Sequence, residues 1–156
     1  MHMNKHSRIV CIVSLLLSIT LVLAINVTAS EIESLEPRAS DFLTSYNTYI
    51  YPASFGKVQV WFSVTGVDYM DEIGALTIRI YESTDNENWT WVKTYKQATT
   101  DGMLDYDNIY HSGHIEYQGT IGRYYKAYVT IWAGKDGNGD TRYVWTSPKK
   151  AVLFAG

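Results

Sequence analysis

The sequence predicts an all-β protein, an antiparallel β-sandwich of about seven short strands behind an N-terminal signal helix. Three observations carry that prediction. Apolar and polar residues alternate at a period of two in three separate segments. Clusters of Gly, Pro, Asn and Asp punctuate the chain between them. No stretch of the body of the chain holds a helical period for long, and strands broken by frequent turn signals are the pattern of a sandwich.

The N-terminus decides destination before fold. Lys5 and Arg8 supply positive charge, and an apolar run from Ile9 to Ile25 follows, broken only by Ser14, Ser18 and Thr20. Val27-Thr28-Ala29 then places small residues where a signal peptidase reads them, so residues 1–29 are expected to be a signal peptide cleaved after Ala29. A cut after Ala24 also fits the small-x-small pattern. The alternative is an uncleaved anchor, since the run sits at the short edge of the roughly 17–25 residues that span a bilayer. Cleavage is favoured because the run ends in a cleavage pattern and not in a basic stop-transfer cluster. Localisation is therefore expected to be secreted or extracellular.

The lone cysteine, Cys11, lies inside the apolar run, where it acts as a small apolar filler. A mature chain without cysteine has no disulfide and must be held by its core, which a domain of this size can supply. Loss of Lys5 and Arg8 leaves 11 Lys plus Arg against 16 Asp plus Glu, a net charge of −5. That balance argues against nucleic acid, and against a membrane after signal cleavage, because both require a basic footprint.

Residues 30–38, SEIESLEPR, are acidic and aperiodic, the composition of a flexible lead-in. The domain is expected over 39–156, where all the Tyr, Trp and Phe residues lie. In KVQVWFSVT, Val58, Val60, Phe62 and Val64 share one face, which predicts a half-buried strand. ALTIRIYE repeats the pattern with Leu76, Ile78 and Ile80 inward and Thr77, Arg79 and Tyr81 outward. RYYKAYVTIWA does so with Tyr125, Ala127, Val129 and Ile131 inward. Weaker strands are expected at 45–51, 89–95, 113–117 and 141–146. Turns are expected at 52–54, 66–68, 85–88, 119–122 and 135–140. Residues 99–112 fit neither period and are expected to form the long connection of a Greek key.

IYESTDNENWTWVKTY, with an acidic Asn-rich turn between a tyrosine strand and a tryptophan, resembles the strand–turn–strand of fibronectin type III and related immunoglobulin-like domains. RYYKAYVTIWA after GTIG is similar to their Y-x-x-x-V strand. The resemblance implies that Tyr125 is a tyrosine-corner residue whose hydroxyl bonds back to the main chain. It also implies a strand tryptophan for which only Trp61 is available, on the face opposite the valines. EPRAS, VQVWFSVTG, MDEIGA, the tryptophan hairpin and GTIGRYYKAYVT in that order resemble a group of small exported proteins of Gram-positive bacteria. That likeness implies fold and export and contributes no active site.

Overt chemistry is sparse. Asp136, Asn138 and Asp140 in KDGNGDT alternate like calcium ligands, but Thr141 and Ser147 stand where an EF-hand needs its glycine and its bidentate acid. A hairpin turn with positive φ angles explains the glycines better. His111 and His114, with Asp105 and Asp107 nearby, could approach a metal only on a helical turn, and no cysteine or third histidine completes a zinc set in the mature chain. Nucleophile elbow, phosphate loop and zincin helix are all absent from the sequence, and no cofactor is implied. A non-catalytic protein is expected, with a glycan-acting hydrolase using acids such as Asp105 and Asp107 as a distant alternative.

The aromatic residues remain. With Tyr125 and Val129 inward, Tyr124, Tyr128 and Trp132 point outward beside Arg79 and Tyr81. Tyr and Trp combine a broad apolar face with a polar handle, which suits a protein or carbohydrate ligand. The same rings could equally serve as cross-strand pairs that stabilise an exposed sheet. In the hairpin NWTWVKTY, Trp89 is expected to be buried and Trp91 to reach a ligand. An extracellular binding module is thus expected, with a self-assembling envelope protein as the alternative.

Overall fold

A computed structural model describes residues 40–154. The expected signal peptide and acidic lead-in, residues 1–38, lie outside the described residues. The rest forms seven strands: β1 Leu43–Pro52, β2 Lys57–Ser83, β3 Thr90–Lys96, β4 Leu104–Gln118, β5 Tyr124–Lys135, β6 Asn138–Trp145 and β7 Lys149–Lys150. Every pairing is antiparallel, and all seven strands join one sheet that curls into a half-barrel. Among the described residues no helix is long and apolar enough to cross a membrane.

Strand β2 organises this sheet. Along one edge it pairs first with β1, from Val58↔Pro52 to Gly66↔Leu43, and then with β5, from Glu72↔Gly134 to Ser83↔Tyr124. Along the other it pairs with β4, from Lys57↔Gln118 to Gly74↔Leu104, and then with β3, from Thr77↔Lys96 to Glu82↔Thr90. One half-sheet is therefore β1-β2-β4 and the other β3-β2-β5-β6. Their inner faces share one sandwich-like core, which contains Ile50, Val58, Val60, Phe62 and Val64 from the first half and Ile78, Ile80, Ala127, Val129 and Ile131 from the second.

The two alternating segments expected as separate strands are thus one strand of 27 residues. The expected turn at 66–68 is instead an irregularity of register, between Thr65 and Met70 on the β4 side, that bends the strand without reversing it. The buried set also changes phase along β2. It runs Val58 to Val64 on even numbers, passes to Ile73 and Ala75, and returns to Ile78 and Ile80 after a shift between Ala75 and Thr77. Leu76, expected inward, falls at that shift and is only partly buried. Gly74 makes the change possible. Its φ is +146°, and a Cβ there would stand 2.2 Å from the Met103 carbonyl oxygen, which accepts the Ala75 N–H at 2.8 Å.

A further difference lies at 99–112. The expected connection is short, and most of this segment is strand, since β4 begins at Leu104. Its polar composition hid it because Ile115 is the only β4 residue in the buried core.

Strand β5 matches its expectation, with Tyr125, Ala127, Val129 and Ile131 fully buried. The Tyr125 hydroxyl accepts the main-chain N–H of Thr120 at 2.8 Å and donates to the Glu82 carboxylate. Burial, reinforced by that donation to Glu82, pushes the phenol above its usual range. The β5–β6 hairpin closes through Asp136 and Gly137, at φ 53° and 75°, as two-residue loops of the Asp-Gly type require. Asp140 is engaged with the chain ahead of β1. Its carboxylate accepts from the Ser40 hydroxyl and the Phe42 N–H, which ties that segment to β6.

Replacing Gly74 by Ala should cost about 1–3 kcal/mol or more, because the new methyl must displace a backbone oxygen at a φ unfavourable to Ala. Urea denaturation should show a lower midpoint with an unchanged slope. An unaltered midpoint would mean that β2 does not need glycine at its phase change.

Candidate functional site

The outer face of the second half-sheet gathers the aromatic residues. Reading outward on this face, β2 presents Thr77, Arg79 and Tyr81, while β5 presents Tyr124, Lys126, Tyr128, Thr130 and Trp132. Register sets Arg79 opposite Tyr128 and Tyr81 opposite Lys126, and sets Tyr128 and Thr130 opposite Trp145 and Tyr143 of β6. The rings meet as this predicts. Tyr128 lies 4.7 Å from Trp145 and stacks on Tyr143 at 5.9 Å, and Tyr81 lies 5.1 Å from Trp145. Thr77 and Thr130 share a hydrogen bond of 2.8 Å beside them.

Lys126 secures one end of this cluster. Its ammonium group lies 4.3 Å from the Trp89 ring and 4.6 Å from the Trp145 ring, so one cation bridges an indole of β6 and an indole at the end of the β2–β3 turn. Such contacts contribute about 0.5–1 kcal/mol each at exposed sites.

The hairpin of β2 and β3 supplies the other end. A register shift after Ile80 puts Trp91 opposite Tyr81 and Thr94 opposite Arg79. The simple alternation expected for 89–95 therefore breaks. Val92 and Tyr95 pack against the core while Trp91 and Thr94 share the outer face, where the Trp91 indole N–H donates to the Thr94 hydroxyl at 3.0 Å. Trp91 is 58% exposed, whereas Trp89 is partly covered. Arg79, Tyr81, Trp91 and Thr94 line a shallow cavity of about 290 Å³.

Of the expected site residues, Arg79, Tyr81, Trp91 and Tyr128 therefore converge. Tyr124 and Trp132 stand at the two ends of the β5 row. The Lys150 ammonium lies 5.3 Å from the Tyr124 ring. Trp132 covers Gly134 and Gly139, where an added Cβ would meet its ring at 2.5 and 2.4 Å. Its indole N–H is buried with no acceptor among the described residues, so shape alone fixes that ring. A cavity of about 350 Å³ adjoins it, lined in part by Asp71, Glu72 and Lys135, whose polar groups are largely engaged. Lys135 pairs with Asp68 at 2.9 Å, and the Asp71 carboxylate accepts the Asp136 N–H at 2.7 Å.

Tyr143 and Trp145 are not among the expected site residues, though the alternation Thr141, Tyr143, Trp145 marks them as one face. A second aromatic row, also unexpected, lies on the outer face of the first half-sheet. There Tyr49 stacks on Trp61 at 6.3 Å, Trp61 stacks on His114 at 4.3 Å, and Tyr51 meets Tyr49 edge-on. His111 and His114 are both residues of β4. Three positions apart in β4 they face opposite sides, with His111 against Phe62 and its Nε2 2.9 Å from the Gly102 carbonyl oxygen. Among the described residues no three metal-capable side chains converge.

No family model matches the chain, and no curated protein matches it. Among solved structures it is similar to the sporulation control protein Spo0M from Bacillus subtilis, at 10% identity and a TM-score of 0.36 over 66% of this chain and 49% of that one. It is also similar to a family 76 glycoside hydrolase from a bovine Bacteroides thetaiotaomicron strain, at 14% identity and a TM-score of 0.32 over 69% of this chain and 20% of that one. The chain thus spans about half of the first protein and a fifth of the second. Likeness this distant transfers no activity.

Asp85 locks the turn that carries Trp89 and Trp91. Its carboxylate accepts the Asn88 and Glu87 N–H groups at 2.8 and 2.9 Å, and the Asn88 amide and Ser83 hydroxyl at 2.6 and 2.8 Å. These donors, with the Asn88 main chain foremost, hold its carboxyl well below the usual 3.8. A depressed folded value means that the stabilisation is complete above the unfolded value and disappears as pH falls from there through the folded one. The difference in Tm between the parent and Asp85→Asn should be largest near neutral pH and shrink below about pH 4. A difference that stays constant with pH would show that the charge plays no part.

Proposed function

We propose that this protein is an exported, non-catalytic binding module of immunoglobulin-like sandwich type that engages a glycan or protein through the outer face of β3-β2-β5-β6. The observation that carries this reading is the continuous aromatic surface of Trp91, Tyr81, Tyr128, Tyr143 and Trp145. Trp91, Tyr143 and Trp145 are 58%, 64% and 49% exposed, which is more contiguous aromatic surface than cross-strand pairing alone requires. The immunoglobulin-like assignment draws support from the Tyr125 hydroxyl, which accepts a main-chain N–H in the manner of a tyrosine corner. Export rests on the apolar segment and Val27-Thr28-Ala29, and the likeness to small exported proteins of Gram-positive bacteria rests on the segments quoted above.

A glycosidase finds less support. Such enzymes need one carboxyl held protonated by a raised pKa. The Asp105 carboxylate instead accepts the Tyr106 N–H at 2.9 Å and the Asn108 amide at 2.9 Å, and these donors shift it downward, away from that role.

The second aromatic row favours one other reading. Tyr49, Tyr51, Trp61 and His114 lie on the outer face of the other half-sheet, so a self-assembling envelope protein could use one row against the other. The two readings differ in the state of the purified protein, since assembly predicts concentration-dependent oligomers.

Alanine at Trp91 and Tyr143 together should weaken glycan or protein capture at least tenfold, about 1.4 kcal/mol. Circular dichroism should remain that of the parent, because both side chains are largely exposed. Alanine at Trp61 should leave capture unchanged. Capture that depends on Trp61 and ignores the other pair would transfer the function to the opposite face.

A further inference from the structure

The composition of the outer face is narrower than that of a protein-binding patch. Over the stretch that pairs β3, β2, β5 and β6, the outward side chains from Thr77 to Tyr81, from Tyr124 to Trp132 and from Thr141 to Trp145 are Tyr, Trp, Thr, Arg and Lys, joined by Trp91, Thr94 and Lys96. None is aliphatic and none is acidic. Protein interfaces centre on a dry apolar core. Flat rings interleaved with hydroxyls suit a pyranose, whose C–H faces stack on rings while its hydroxyls exchange hydrogen bonds with threonine.

The charge on this face has one sign. The domain as a whole carries an excess of acid, yet the charged groups here are Arg79, Lys96 opposite Thr77, Lys126, and Lys150 opposite Tyr124. Lys126 is already set over Trp89 and Trp145. Arg123 pairs with Glu82 at its guanidinium, and Arg142 lies 3.9 Å from Asp140. Arg79 alone among the arginines of the described residues has a side chain with neither an ion pair nor a hydrogen bond. It is exposed, and it lines the 290 Å³ cavity with Tyr81, Trp91 and Thr94. A guanidinium presents a planar fork that matches a carboxylate bidentately.

We infer that the ligand of this face is a uronic-acid-bearing glycan, with the Arg79 guanidinium gripping a sugar carboxylate while Trp91, Tyr81 and Tyr128 stack the neighbouring rings. This rests on the reading of the face as a binding surface. A carboxylated chain fits better than a densely sulfated one, because Lys126 and Lys150 are already set over rings, and Arg79 with Lys96 at the edge does not make the long cationic stripe that a polysulfate needs. A carboxylate on every sugar or every second sugar needs only one such grip per site.

The deciding experiment is calorimetric titration of the protein with an oligogalacturonate and with the same oligosaccharide after reduction of its carboxylates to primary alcohols. The acid form should bind at least tenfold more tightly than the reduced form. Arg79→Gln should remove most of that difference by weakening the acid form much more than the reduced form, and Arg79→Lys should restore only part of it, since it returns charge without the fork. Trp91→Ala should weaken both forms. Equal affinity for the two forms, or a loss in Arg79→Gln that is the same for both, would overturn the assignment of an acidic glycan and leave the binding surface standing. If neither form bound the parent protein the glycan assignment would fall as well, and binding of a heparin oligosaccharide in preference to oligogalacturonate would replace the carboxylate by sulfate.

Discussion

The structure depends on the unbroken backbone of β2. A buried strand must satisfy N–H and C=O groups along its whole length. β2 does so by exchanging partners, β1 for β5 along one edge and β4 for β3 along the other. The exchange lets one strand serve two half-sheets and lets those half-sheets face each other around one core. Its cost is concentrated in the middle, where the pairing shifts and the buried set changes phase. Gly74 sits there because only a residue without a Cβ tolerates the Met103 carbonyl so close.

The candidate site inherits its geometry from that strand. Arg79 and Tyr81 follow the phase change, so their outward direction is fixed by the return of Ile78 and Ile80 to the core. The β5 rings are aligned with them by register, and β6 adds Tyr143 and Trp145 through the short Asp136-Gly137 loop. Rings mounted on paired strands lose little freedom when a ligand arrives, and preorganisation of this kind saves part of the entropic cost of binding. The Lys126 ammonium, between two indoles, does the same for the Trp89 turn.

Legibility in the sequence followed burial. Val58 to Val64 and Tyr125 to Ile131 alternate cleanly because each has one face in the core and one in water, and their strands and faces could be read directly. β4 could not, because its N-terminal half contributes nothing to the buried core, and Asp105, Tyr106, Asp107 and Asn108 look like loop. Gly66-Val67-Asp68 marked a true irregularity, but turn-prone residues signal a bulge as readily as a reversal. The outward set of β5 was legible from its period. The convergence with Tyr143, Trp145 and Lys126 was not, since it is created by register between segments far apart in the chain. The shift after Ile80 is likewise invisible locally, and it is what brings Thr94 and not Lys93 next to Arg79.

The sharing of β2 also orders the birth of the molecule in time. The β5–β6 hairpin needs only its Asp136-Gly137 loop and can close on the microsecond scale of hairpins. The partners of β2 within the sheet are different, since Val60 pairs with Ile115 and Ile78 with Val129, and such distant segments must find each other before any apolar face is covered. Closure entropy falls due before burial repays it, which places this topology among slow folders. Until β2 has both edges paired, its Val- and Ile-rich stretches are open strand edges able to recruit a second chain. The feature that makes the finished sheet rigid therefore makes its unfinished form adhesive.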